Sequence, residues 1–396
     1  MNRLMRTWGL LFLAMCLFGF GANKVFPSTE KKPKESQKTE TAAKKDDTAS
    51  FTFMGVGDNL LHDVIFHNND YSMKDIDYND IYTNMKKYTK EDINYINYET
   101  ICAGTENGLT LDGYPSFNGP AEFNDAVAKA GFNWFSLCSN HTYDRGTLGV
   151  LTELEYLKKH EPNVTITGAY ASKKAAEKPT VINVNGIKVG LASYAYGFES
   201  EPSGDPDTKW MVNKISEKKI RSDMKKLNKV SDVQIVSMHW GTEYHTKQNA
   251  EQEKYAKLLN ELGVEAIIGT HPHVIEPVEW IHGKKQDTLC YYSLGNLISA
   301  QNANENMIGG MARFKCSYNF KTKKARISKA EFIPTITYYD ASYNNYALYT
   351  IKEWNNTLAQ SHEVTVSEGQ DLSKKYVQNY VKDVMKNVKG VKVVLK

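Results

Sequence analysis

Five short apolar runs in this chain stop at residues that bind metals, and that shared ending constrains the fold more than any other feature. Phe51 to Gly57 runs into Asp58-Asn59, and the alternating stretch from Ile93 ends on Glu99. Phe132 to Cys138 leads into Ser139-Asn140-His141, and Val233 to Met238 leads into His239. Val264 to Ile268 leads into Gly269-Thr270-His271-Pro272-His273. Apolar runs of this length between turn residues read as buried strands. In open α/β sheets, functional groups collect at the carboxyl ends of strands, where loops bring residues of several strands to one crevice. Residues two apart in an extended chain share a face, and Pro272 disfavours a helical conformation at His271. The rings of His271 and His273 are therefore expected side by side at a strand end.

Between these runs the apolar spacing is helical, which predicts an α/β layered domain. Helices are expected over 121–130, 147–159 (capped by Thr147, with Leu148, Leu151, Leu154 and Leu157 on one side), 213–229, 248–262 and 371–389. Val181 to Val189 reads as a hairpin turning at Asn185-Gly186, a pair suited to a type I′ turn. Further strands are expected at 276–281 and 288–294, the latter closing on Leu294-Gly295-Asn296, and a second hairpin from 308–317 and 325–334. The Tyr- and Asn-rich stretch 336–370 fits no element. The chain divides into a segment 1–26, a linker 27–50, a body 51–335 and a C-terminal extension 336–396 with a terminal helix.

The first segment differs in kind from the rest. Arg3 and Arg6 precede an apolar run from Trp8 to Ala22, the layout of an export signal, and Trp8 to Phe26 is long enough to cross a bilayer. It reads as a signal peptide or, because no small-x-small cleavage site stands out, a retained anchor. Positive charge ahead of the run places the body outside the cytoplasm. The stretch 27–50 is nearly all polar and charged, too poor in apolar surface to order itself, and reads as a tether. A net charge of +3 over 396 residues gives no broad basic field, which argues against nucleic acid as a partner. Five cysteines in a chain this long make no disulfide framework. Cys138 and Cys290 read as buried thiols, and a Cys102–Cys316 bridge is left open.

The residues at the strand ends are carboxylates, imidazoles and one amide, a mixed oxygen and nitrogen set suited to two hard or borderline divalent cations such as manganese, zinc or iron. Two cations about 3.5–4 Å apart lower the pKa of a bridging water and clamp the oxygens of a phosphate ester. Holding two like charges that close needs a carboxylate between them, and Glu99 is the candidate bridge. His141 is the candidate general acid for the leaving oxygen, with Asp144 orienting its ring. Asn59, Glu243, Tyr244 and Asn296 are candidate substrate contacts. His62, His67, His160, His245 and His282 read as structural or exposed, with contact to the site left open only for His62 or His245.

The ordered set Gly57-Asp58, Asn97-Tyr98-Glu99, Ser139-Asn140-His141, His239-Trp240-Gly241-Thr242-Glu243-Tyr244, Gly269-Thr270-His271-Pro272-His273 and Tyr292-Ser293-Leu294-Gly295-Asn296 resembles the CapA family of poly-γ-glutamate capsule-synthesis proteins over residues 51 to 300. That family in turn resembles the calcineurin-like metallophosphoesterases. The likeness implies a four-layer α/β/β/α sandwich of two mixed sheets flanked by helices. It also implies one metal site of Asp58, Glu99 and His273 and another of Glu99, Asn140, His239 and His271. This chain departs from the wider phosphoesterase pattern in carrying Leu60 two places after Asp58, where that pattern has a histidine, and Glu in place of Asp at the bridge. His62 can take the vacant role only if its loop bends back. The resemblance implies work in the synthesis or export of an anionic envelope polymer, alongside membrane-embedded subunits, either as a hydrolase or as a non-catalytic polymer-binding scaffold.

Overall fold

The computed structural model describes residues 47–396. The segment 1–26 and residues 27–46 of the linker lie outside the described residues, and no helix among the described residues is long and apolar enough to cross a membrane. The chain builds one sheet, then a second, then returns to the first. It opens with β1 (Thr48–Asn59), β2 (Ile93–Tyr98), β3 (Trp134–Ser136) and β4 (Thr165–Thr167), parallel neighbours in that order. The second sheet follows with β5 (Thr180–Val184), β6 (Ile187–Ala195), β7 (Val233–His239), β8 (Ala266–Thr270), β9 (Val278–His282) and β10 (Asp287–Tyr291), ordered β5-β6-β7-β8-β10-β9. The return adds β11 (Asn296–Ile298), β12 (Ile308–Asn319), β13 (Lys324–Tyr338), β14 (Ala347–Thr350) and β15 (Lys392–Val393). The first sheet then reads β14-β13-β12-β1-β2-β3-β4, with β11 against β1 and β15 against β13. Both sheets are mixed, as expected.

The sheets pack face to face through a core that carries a polar seam. Phe53, Tyr95 and Trp134 of the first sheet share one cluster with Val189, Ile235 and Ile268 of the second. Within it the Tyr95 hydroxyl meets Ser237 Oγ at 2.6 Å, and Trp134 Nε1 donates to Thr167 Oγ1 at 2.8 Å. Strands buried on both faces are largely apolar, which is why β8 reads as a continuous run, although the fully buried β7 also carries Gln234, Ser237 and His239. Five helices of eight residues or more lie among the described residues: α1 (Glu122–Lys129), α2 (Gly146–His160), α3 (Glu217–Leu227), α4 (Ala250–Leu262) and α5 (Lys374–Val384). Ile220, Met224 and Leu227 of α3 and Ala256 and Leu259 of α4 cover the outer face of the second sheet against Val236, Met238 and Ile267. Asn249 and Gln252 form a capping box at the start of α4, and Gly263 at φ 91° ends it.

Several expectations need correction. Thr48 to Ser50 are strand, not tether, because they pair with Asn319 to Ser317 of β12. Helix α2 starts at Gly146 with no side-chain cap, so Thr147 does not cap it. Leu148 and Leu151 are 48% and 38% exposed, whereas Val150, Leu154 and Leu157 are buried. A spacing of three drifts about 60° per step around a helix, so four such positions cannot share one face. The helix predicted from 213 is α3, capped by Ser216, and residues 213 and 215 instead hydrogen-bond with Ala195. Cys102, Cys138, Cys290 and Cys316 are buried free thiols, so no Cys102–Cys316 bridge forms. Residues 336–396 extend the first sheet through β14 and β15 and place Trp354, Leu372, Val377 and Val381 in the same core.

Candidate metal centre

Asp58 owes its place to an irregularity in β1. Phe53 and Gly55 pair with Ile93 and Tyr95, but the next partners are Asp58 and Asn97, so three steps on β1 match two on β2. Because side chains alternate, one extra residue moves those that follow to the other face. Asp58 is thereby turned to the inner side, where Asn97 Nδ2 donates to its Oδ1 at 2.9 Å. Gly57 allows this turn, since a Cβ there would lie 1.8 Å from the carbonyl oxygen of Gly295. Glu99 follows Asn97 on the same face, and His239 follows Ser237 on the facing strand.

His271 and His273 meet by a different route from the one expected. Regular alternation would send His271 outward with Ile267 and Gly269, because Ile268 and Thr270 face the inter-sheet core. Instead β8 ends at Thr270, and His271 and His273 adopt φ of 98° and 60°. Such left-handed conformations are costly for residues with a Cβ and persist only where surrounding contacts impose them. Here the His271 N–H donates to Asp58 Oδ2 at 3.1 Å, and the ring centroids of His271 and His273 lie 5.9 Å apart. The two rings are brought together by a strained turn, not by an extended strand.

All six expected ligands are gathered at one rim. The ligand atoms of Glu99, His239 and His271 lie within 4.8 Å of one another, as do those of Asp58, Glu99 and His273. His239 Nε2 is 2.9 Å from Asn140 Oδ1 and 3.8 Å from Glu99 Oε1, and His273 Nε2 is 3.5 Å from Glu99 Oε1. Burial pushes the Glu99 carboxyl well above its ordinary range, and the nearby Asp58 adds to this. Asp58 is raised to about 7 by burial, against the lowering effect of the His271 N–H and Asn97. Burial and neighbouring imidazoles lower His271 and His273 to about 3, and His239 well below its ordinary value. The three rings are therefore neutral near pH 7, the form that ligates metal.

Both oxygens of Glu99 and Nδ1 of His271 are buried with no hydrogen-bond partner. Unpaired buried polar atoms cost roughly 1–3 kcal/mol each, so three in one spot need a ligand to explain them. The donor set fits divalent cations. Asp58, Glu99 and His273 would hold one, and Glu99, Asn140, His239 and His271 another.

A shell of hydrogen bonds orients the rings. His239 Nδ1 lies 3.0 Å from Thr270 Oγ1, and His273 Nδ1 lies 3.1 Å from Asn296 Oδ1, which leaves Nε2 of each for a metal. Asn296 thus lies against His273, and its own amide donates to Gln301 and Asn306. Asn59 is fully buried and takes a hydrogen bond from the Tyr82 hydroxyl, and neither asparagine lines the cleft above the ligands. Asp144 does orient His141, with Oδ2 2.8 Å from Nδ1 and also accepting the Phe117 N–H at 2.7 Å.

Above the ligands opens a cleft of about 660 Å³ lined by Asn140, His141 and His273 and walled by Tyr114, Phe117, Glu199, Glu243 and Tyr244. Glu243 and Tyr244 therefore stand where a substrate would pass. His62, read as structural, also lines it, beside Leu60. Its ring meets Phe117 edge to face, as does that of His141, and burial lowers it to about 4. Asn97 and Thr270 escaped the sequence reading as site residues, although Asn97 stands two positions before Glu99, on the same face of β2. His245 is exposed, with Nδ1 against the carbonyl of Glu243.

Residues 52–301 match the family described as bacterial capsule synthesis protein PGA_cap. The capsule biosynthesis protein CapA of Bacillus anthracis is 31% identical over 186 residues, 44% of this chain and 42% of that protein. The PGA biosynthesis protein CapA of Bacillus subtilis is 30% identical over 181 residues, 43% of each chain. The matched stretch thus spans less than half the length of these curated relatives. Similar solved structures include a phosphatase from Mycoplasma pneumoniae (14% identity, TM-score 0.46, 72% of this chain and 94% of that one). Another is a putative 5'-nucleotidase from Staphylococcus aureus (12% identity, TM-score 0.43, 72% and 54%). The family match covers well over half of the chain and includes every residue of the rim, so this protein belongs to the bacterial capsule synthesis protein family PGA_cap.

Proposed function

We propose that this protein is a membrane-tethered, extracytoplasmic metallohydrolase of phosphoesterase type that acts on an envelope polymer or its precursor during capsule synthesis or export. The observation that carries the reading is Glu99, a fully buried carboxylate with both oxygens unpaired among three imidazoles and a second carboxylate. Divalent cations bound there supply a water of lowered pKa and positive charge against a developing phosphate oxyanion. The chain supplies the rest. Asn97 and the His271 N–H fix Asp58, while Thr270 and Asn296 fix His239 and His273. Asp144 holds His141 by Nδ1 so that the other ring nitrogen serves the cleft, where it can protonate a leaving oxygen. The membrane tether, the location outside the cytoplasm and membrane-embedded partner subunits rest on the N-terminal segment and on family membership.

A second reading is a scaffold that holds an anionic polymer without turnover. The cleft wall carries Glu199 and Glu243, and no Lys or Arg lines it among the described residues. A polyanion would be held there by bound cations alone. The test is metal analysis of the full chain after manganese or zinc loading, with turnover of a generic phosphodiester. The wild type is expected to hold metal that Glu99→Ala and His271→Ala lose. A metal-free wild type sinks both readings, and a metal-loaded protein that turns over no diester, yet still supports capsule formation when His141 is replaced by Ala, favours the scaffold.

A further inference from the structure

Two carboxylates approach His271 and His273, of which the metal reading uses one. Glu99 is grouped with His239 and His271 and also with Asp58 and His273. Glu243 forms a third group with the same two imidazoles, its ligand atoms likewise within 4.8 Å. Its Oε1 is 3.8 Å from His273 Nε2, against 3.5 Å for Glu99 Oε1 to that nitrogen.

The loop after β7 is fastened so as to put Glu243 there. Tyr244 adopts φ 62°, and its N–H donates to the carbonyl of Pro272 at 2.8 Å, tying the loop to the turn that carries both histidines. Its hydroxyl accepts from Gln301 Nε2 at 3.3 Å, and Asn249 Nδ2 holds Thr242 Oγ1 at 3.0 Å. The Glu243 carboxylate has no hydrogen-bond donor among the described residues. His271, which the Glu243 group shares with the Glu99 group, is only 3% exposed and has an unpartnered Nδ1.

We propose that Glu243 is a metal ligand, a carboxylate that joins the divalent-cation site from the cleft, at the same two imidazoles. The proposal rests on the metal reading above and adds a ligand to it. Because the Glu243 side chain is 44% exposed where Glu99 is fully buried, it is the ligand that a substrate oxygen or water can replace. Glu99 holds the site together, and Glu243 completes it until substrate enters.

The experiment titrates chelator-stripped full-length protein with manganese alone, by equilibrium dialysis with elemental analysis of bound metal. Glu243→Gln is expected to weaken binding by ~10- to 100-fold or to lose one ion, since even residues one layer out from a metal cost that much. Glu199→Gln is the charge control, because Glu199 lies near enough to act on Glu243 yet belongs to none of the ligand groups. It should lose no more than about fivefold, the effect of one solvent-exposed charge at short range. Wild-type affinity and stoichiometry in Glu243→Gln overturn the proposal, and so do equal losses in the two variants, which would reduce Glu243 to a contributor to the field. A wild type that takes up no manganese overturns the metal reading itself, so the two failures are distinguishable.

Discussion

The floor of the cleft and its mouth are built by different means. On the floor, Asp58, Glu99 and His239 stand at the ends of strands from two sheets, fully buried, and Asp58 and His239 are held by hydrogen bonds to neighbouring strands. At the mouth, Tyr114, Glu199, Glu243 and Tyr244 come from connecting loops, and Tyr114 and Tyr244 are 76% and 56% exposed. The floor carries costs that the fold must offset: unpaired polar atoms at Glu99 and His271, and left-handed backbone at two histidines. The mouth carries few. Strand ends thus give precision at the expense of stability, while the loops leave Tyr114 and Glu199 free to vary without disturbing the metal set.

Two glycines give this contrast its largest expected effect. A Cβ on Gly269 would lie 1.8 Å from the carbonyl oxygen of Tyr292, backbone that cannot move without parting β8 from β10. Gly269→Ala should cost at least ~3 kcal/mol and leave no cooperative thermal transition near that of the wild type. Gly197, in the loop leading to Glu199, has nothing within 4 Å of the same atom, so Gly197→Ala should shift stability by no more than ~0.5 kcal/mol. Equal melting temperatures for the two variants would break the distinction.

His141 stands where floor and mouth meet, 7% exposed and touching Phe117. His141→Ala should lower kcat on a phosphodiester by ~100-fold or more while the protein keeps its full metal content. Asp144→Asn should lose less, because an amide oxygen can still accept from Nδ1. Parallel loss of metal and turnover in His141→Ala would place this ring among the ligands.

Glu99→Gln separates the two demands on the floor. Measured in chelator, the variant should melt higher than the wild type by the equivalent of ~1–2 kcal/mol, since it removes a buried carboxylate that has no partner. Measured with manganese, the order should reverse, because only the wild type gains from binding. A variant less stable than the wild type in chelator would mean that the unpaired oxygens stabilise the fold, contrary to the electrostatics of the site.

Much of the floor is legible because these largely apolar strands end at Asp58, Glu99, His239 and His271, the first charged or imidazole side chains that each run reaches. What failed to show was how they turn inward. The extra residue between Gly55 and Asp58 leaves no mark in the pattern, and the positive φ at His271 inverts what alternation implies. Asn97 and Thr270 are an amide and a hydroxyl inside strands, where such residues more often satisfy backbone. His62 was discounted because Leu60 occupies the spacing expected of a ligand and no periodicity reports where a loop folds back. Asn59 and Asn296 lie next to site residues in sequence, but the alternation of β1 and the packing of β11 turn both to internal hydrogen bonds.

The smallest effect uses a buried carboxylate outside the cleft as a reference for Glu99. Glu153 on α2 is 3% exposed, and burial raises its pKa to about 8, although its Oε1 accepts the Cys102 N–H at 2.8 Å. The folded protein therefore holds this proton more tightly than the unfolded chain, whose value is near 4.5. Stability from the protonated group is complete below about pH 4.5 and is lost as pH rises toward 8. The amide introduced by Glu153→Gln would keep an oxygen for the Cys102 N–H and carry no proton to lose. The variant should then match the wild type in urea unfolding at pH 4.5 and exceed it at pH 8. Metal should leave that difference unchanged, whereas it should erase and reverse the corresponding gain in Glu99→Gln. A Glu153→Gln advantage that vanishes on manganese loading would show that the two carboxylates respond to one cause, and that the floor is not set apart by its ligand.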